Sequence, residues 1–202
     1  MERLDVPLGR PRGERADAAR NRLLLLDAAR EMLAEVGAEK VTMDGLAERA
    51  GLGKGTVFRR FGTRAGIFHA LLDEDERLFQ ERVLSGPPPL GPGAGPVERL
   101  VAYGRSRIEW LLERHALARA ALDRAQPVPA GAATLSQLHI RVLLRQADLG
   151  LDDVDGLALQ LTGALEGPVL LYLSLPEQAE AARDIERLAG SWQFLVERVC
   201  RA

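Results

Sequence analysis

Lys54, Thr56, Arg59 and Arg60 stand within one run, KGTVFRRF, and all of them donate hydrogen bonds of the kind that meet phosphate oxygens and base edges. Val57 and Phe61, four apart, would bury one side of a helix there and leave the donors on the other, with Gly55 allowing close backbone approach. The preceding run, VTMDGLAERAG, reads as another short helix: Thr42 caps it, Leu46, Ala47 and Ala50 face inward, and Gly51 supplies the turn. Residues 41–61 thus have the pattern of two helices joined by a tight turn, the second able to lie in a major groove.

Catalytic chemistry has no comparable support. The chain lacks a GxSxG elbow and a phosphate-cradling GxxxxGK[ST] loop, and no nucleophile and base stand in a recognisable pair. The single cysteine, Cys200, has no disulfide partner within the chain, and His69, His115 and His139 are far apart, so neither a structural metal nor a cofactor is expected. The sequence reads as a non-enzyme.

The elements that must position the basic run are helical. In 202 residues, 47% of them hydrophobic, apolar side chains recur at steps of three and four along most of the chain. The expected class is all-α, with about nine helices. Residues 1–16, rich in Pro, Gly and Arg, are expected to form a mobile basic arm, with Arg10, Arg12, Arg15 and Arg20 as secondary minor-groove candidates. A first helix begins near Asp17 with an inward stripe of Leu25, Ala28, Ala29, Met32, Leu33 and Val36, and ends at Gly37.

After Gly62, Thr63 can cap a long helix that buries Ile67, Phe68, Leu71, Leu72, Leu78 and Phe79. The Pro and Gly run at 86–96 excludes helix and strand and is expected to be a spacer loop. Helical periodicity resumes at 97–115, 116–125, 133–149, 153–173 and 177–201, with a PVPAG turn in between and Pro176 at a first-turn position of the last.

Net charge divides unevenly. Residues 1–70 hold 13 Lys and Arg against 10 Asp and Glu, and the remainder holds 14 against 19, for a total of -2. This suits a small basic module, residues 17–70, joined to an acidic domain, residues 71–202, with another task.

The linked runs LLLLDAAREMLAEVG, VTMDGLAERAG and LGKGTVFRRFGTRAGIF resemble the TetR-type bacterial transcriptional repressors. The resemblance covers about a third of the chain. It implies a three-helix DNA-binding domain and a six-helix domain for effector binding and dimerisation. It also implies that Thr42 meets a phosphate, that Lys54, Gly55 and Thr56 open the recognition helix, that Arg59 and Arg60 add charge and guanine readout, and that Arg64 contacts phosphate. Two positions depart from the pattern: Phe58 stands where a phosphate-reaching tyrosine is common, and Gly53 where a capping serine is frequent.

A regulator of this type is expected to be a homodimeric repressor on double-stranded DNA, released from a near-palindromic operator by a small molecule. The candidate effector pocket comprises Tyr103, Arg107 and Trp110 on one helical face, with His139 and Glu166 as polar contacts, and the low aromatic content suggests a hydrophobic effector. Ile185, Leu188, Trp192, Leu195 and Val199 form a heptad-like seam which, with Gly163 and Gly167 on the preceding helix, is expected to make the dimer interface. Pro168 is expected to kink that preceding helix. The alternative for the seam is the chain's own core; the alternative for the whole is a helical interaction protein that has lost DNA binding. Apolar runs are too short to span a membrane and no signal-peptide pattern is present, so a soluble, cytoplasmic protein is expected.

Overall fold

The computed structural model describes residues 12–121, 133–173 and 181–201, and side chains over 17–121, 135–168 and 184–201. Among them are nine helices and no strand: α1 Arg12–Val36, α2 Met43–Arg49, α3 Lys54–Phe61, α4 Arg64–Ser85, α5 Pro96–Glu113, α6 His115–Ala121, α7 Ala133–Ala147, α8 Val154–Leu173 and α9 Ala181–Val199. The all-α expectation is met. The chain divides into two compact units, Met1–Leu71 and Leu72–Ala202, with the boundary inside α4.

The first helix begins earlier than its apolar period implies. Residues 12–16, expected in a mobile arm, are helical, because Glu14, Arg15 and Ala16 all favour helix and follow Pro11, a residue suited to a helix start. Residues 1–11, the PVPAG turn and Pro176 lie outside the described residues. Within α1, Leu25, Leu26, Ala28, Ala29 and Met32 are buried, whereas Val36, expected inward, is exposed. Gly37 follows with φ 75, and a 3-10 turn at Ala38–Lys40 leads to α2.

Thr42 caps α2 as the sequence suggests, its Oγ1 accepting from Gly45 N at 3.1 Å. Gly51, at φ 65, adopts the left-handed conformation that the turn into α3 demands. Val57 and Phe61 bury the inner side of α3. Thr63 caps α4 through Gly66 N, and α4 buries Ile67, Phe68, Leu71 and Phe79, while Leu78 is exposed. Leu78 adjoins Phe79 in sequence and so lies about 100° around the helix from it, off the inner face.

The second unit has its own core, in which Phe79 and Val83 of α4 join Leu100, Tyr103 and Ile108 of α5, Ile140, Leu143 and Leu144 of α7, Leu161 and Leu165 of α8, and Trp192 and Val196 of α9. The loop at 86–95 contributes Leu90 to it. Asp153 caps α8, accepting from Gly156 N at 2.7 Å.

Trp192, expected in the dimer seam, lies within the chain's own core. It is 3% exposed and its Nε1 donates to Leu100 O at 3.1 Å, across the seat provided by Gly104. Its indole belongs to the chain's own core, and Ile185, Leu188 and Leu195 are partly buried against that same core. A heptad pattern marks an apolar stripe without saying what covers it. Gly163, by contrast, is exposed, as are Leu159 and Phe194 of the same two helices.

A Cβ on residue 104 would lie 1.9 Å from Trp192 Nε1. Gly104→Ala should therefore drive the indole off the Leu100 carbonyl and destabilise the unit by roughly 1–3 kcal/mol, measured as a shift in the urea-unfolding midpoint.

Candidate functional site

The surface of α3 carries the basic run. Lys54, Gly55, Phe58, Arg59 and Arg60 are exposed and Thr56 is half-buried, while Val57 and Phe61 are buried. No atom lies within 4 Å of a Cβ built on Gly55, so its backbone is open to approach. Gly53 caps α3 without a side-chain hydrogen bond. Thr56, Arg59 and Arg60 line one wall of a groove of about 570 Å³, and Asp17, Asn21 and Arg22 of α1 line the other.

Two cations are already engaged. Lys54 Nζ lies 2.8 Å from Asp44 Oδ2 on α2, an exposed pair of the kind that exchanges readily. Arg64, expected to contact phosphate, is also engaged within the chain: its Nε donates to Val41 O at 2.8 Å, its Nη2 donates to Ala38 O, and its guanidinium lies 5.0 Å from the Phe68 ring centroid. Ala38 O, which also accepts from Val41 N within the 3-10 turn, and Val41 O, just after it, are both tied to α4. Arg64 thus fixes the chain entering Thr42. Arg49, which its place in the sequence gives no reason to single out, joins α2 to α1 through Glu35 at 3.0 and 2.6 Å, and the paired guanidinium holds the Glu35 carboxyl below its ordinary range.

The second unit holds an interior polar cluster, and the structure brings all five candidate pocket residues into it. Arg107, 4% exposed, donates to Glu76 and lies 3.8 Å from Glu166. Tyr103 donates to Ser136 at 3.0 Å, and Ser136 donates to Glu166 at 2.6 Å. Burial pushes the Tyr103 phenol up, which keeps its proton in place for that bond. The Arg107 guanidinium lies 4.6 Å from the centroid of Trp110 and 5.5 Å from that of Phe79, and the His139 ring centroid lies 4.6 Å from that of Tyr103 with the planes tilted by 46°.

Glu76 and Ser136 belong to the cluster without a signal in the sequence. Glu76 sits in the run DEDER, which looks like a solvated face, and an isolated serine in an apolar helix marks nothing. Among the described residues no group of His, Cys, Asp and Glu is arranged to hold a metal ion.

Residues 25–71, which contain α2, α3 and the Arg64 contacts, match the family described as bacterial regulatory proteins, tetR family. Over these residues the chain is similar to that family. An HTH-type transcriptional regulator of Staphylococcus aureus strain USA300 is 29% identical over 65 residues, which make up 32% of this chain. The chain spans only about a third of the length of the curated relatives it matches, 35% in that case.

A TetR-family transcriptional regulator from Pectobacterium atrosepticum has the same fold, with a TM-score of 0.67, 21% identity, and coverage of 92% of this chain and 95% of that one. A SmeT–triclosan complex matches with a TM-score of 0.56, again at 21% identity, over 87% and 91% of the two chains. The TetR-type family match ends at residue 71, where α4 enters the second unit, so it covers the first unit alone. No helix among the described residues is long and apolar enough to cross a membrane.

His139 offers a direct check on the interior cluster. Burial lowers its pKa from 6.5 to about 4, with Arg99 adding to the effect, so the folded chain refuses a proton that the unfolded chain accepts. The stability linked to this group is fully present above pH 6.5 and is lost as pH falls toward 4. His139→Gln should flatten the decline, read as a smaller loss of urea midpoint between about pH 7 and pH 5 than the parent chain shows.

Proposed function

We propose that this chain is a homodimeric transcriptional repressor whose first unit reads a near-palindromic operator and whose second unit binds a small-molecule effector that releases the DNA. The basic, exposed face of α3, backed by Val57 and Phe61 within a TetR-type match, carries the reading. Lys54 exchanges its Asp44 partner for the DNA backbone, and Arg59 and Arg60 approach phosphates or guanine edges. Thr42, held in place through the Arg64 contacts at Val41, lies at the head of α2.

Dimerisation rests on the exposed part of α8 and α9, where Gly163, Leu159 and Phe194 provide small and apolar surface, rather than on Trp192. Two-fold symmetry in the protein requires two-fold symmetry in the site, with half-sites about one helical turn or a multiple apart. The interior cluster around Arg107 is the effector site, and the SmeT neighbour, solved as a complex with triclosan, supports an effector of comparable size. A ligand that binds one separation of the two reading heads better than another shifts the population accordingly.

The test uses DNA fragments selected from the source genome, with binding titrated against salt and against scrambled sequence. Lys54→Ala should weaken binding and reduce the magnitude of the salt slope by about one for each phosphate it no longer neutralises. Asp44→Asn, which frees Lys54, should strengthen binding to scrambled DNA more than to the selected site. Unchanged affinity and slope in Lys54→Ala would place the reading face elsewhere.

A further inference from the structure

We propose that the interior cluster of the second unit takes an uncharged ligand through a hydrogen-bond acceptor, a ketone, ester or amide oxygen on an otherwise apolar body. This deepens, and rests on, the reading of that cluster as the effector site. Arg107 Nε, Trp110 Nε1 and His139 Nε2 are all buried and have no hydrogen-bond partner among the described residues. The first two are N–H groups that can only donate, and Arg107 as a whole is only 4% exposed. Buried donors without acceptors are costly, so a site that keeps them is built for a molecule that supplies an acceptor.

Charge decides which acceptor. The Arg107 guanidinium already faces two carboxylates, Glu76 and Glu166, so an incoming anion would be repelled by more carboxylate than the one guanidinium offsets. The aromatic faces that would otherwise cradle an organic cation are occupied, Trp110 by Arg107 at 4.6 Å and Arg114 at 5.2 Å, and Phe79 by Arg107 at 5.5 Å. A neutral oxygen satisfies the donors without disturbing either arrangement, while the apolar side chains around Tyr103 and Phe79 accept the rest of the ligand.

The experiment is calorimetric titration of the full chain with 2-decanone, decanoate and decyltrimethylammonium, three probes that share an apolar tail and differ in head group. The ketone is expected to bind most tightly. Trp110→Phe, which keeps a ring and removes the N–H, should weaken the ketone about tenfold, the loss of one hydrogen bond to a buried donor, and leave the other two unaffected. Tighter binding of decanoate or of decyltrimethylammonium would overturn the ligand class and leave the effector site standing. Binding of none of the three would overturn the reading of the cluster as a ligand site. Ketone affinity unchanged in Trp110→Phe would remove the indole donor from the account.

Discussion

Burying the guanidinium of Arg107 is the constraint around which the second unit is organised. A charge so far from water must be met by opposite charge and by hydrogen bonds, or the unit does not fold. Glu76 of α4 and Glu166 of α8 meet it, Ser136 of α7 bridges Glu166 to Tyr103 of α5, and the rings of Trp110 and Phe79 lie against it. Four helices are thereby held by one group whose partners are directional, whereas the apolar core around them could tolerate small slips.

The first unit solves a different problem with a similar device. Its α2 and α3 are too short to be stable by helix propensity alone, and they persist because Leu46, Ala47, Val57 and Phe61 are buried. Arg64 then commits its guanidinium to the carbonyls of Ala38 and Val41, and Arg49 joins its own to Glu35, so the turn before Thr42 and the junction of α1 with α2 are both fixed. The cations on the outer face, Arg59 and Arg60 with Lys54 lightly held by Asp44, are left to meet an anion. Separating positioning arginines from outward cations lets the surface be basic without being loose.

Much of this is legible in the chain without its structure. Steps of three and four in the apolar residues place the helices, Thr42 and Thr63 mark two starts, and Gly51 marks a turn that only a left-handed residue fits comfortably. The side of α3 that faces outward follows from Val57 and Phe61 alone. Other features depend on contacts between residues distant in sequence, which periodicity does not encode. Arg64 reads as a surface cation until the carbonyls 23 and 26 residues before it are seen to lie within reach. Glu76 hides in a charged run, and the heptad stripe of α9 does not distinguish Trp192 turned onto Leu100 from Trp192 turned toward a second subunit. The pocket candidates, chosen one by one for their chemistry, converge because Tyr103, Arg107 and Trp110 share one face of α5, and both α7 and α8 pack against that helix.

The most direct test of the central claim is amide hydrogen exchange of the full chain, free and bound to a DNA fragment selected from the source genome. Slowed exchange concentrated between Thr42 and Arg60, the stretch that holds α2, its turn and the outward face of α3, is the predicted result. Protection confined to residues 72–201, or none anywhere despite binding, would contradict it.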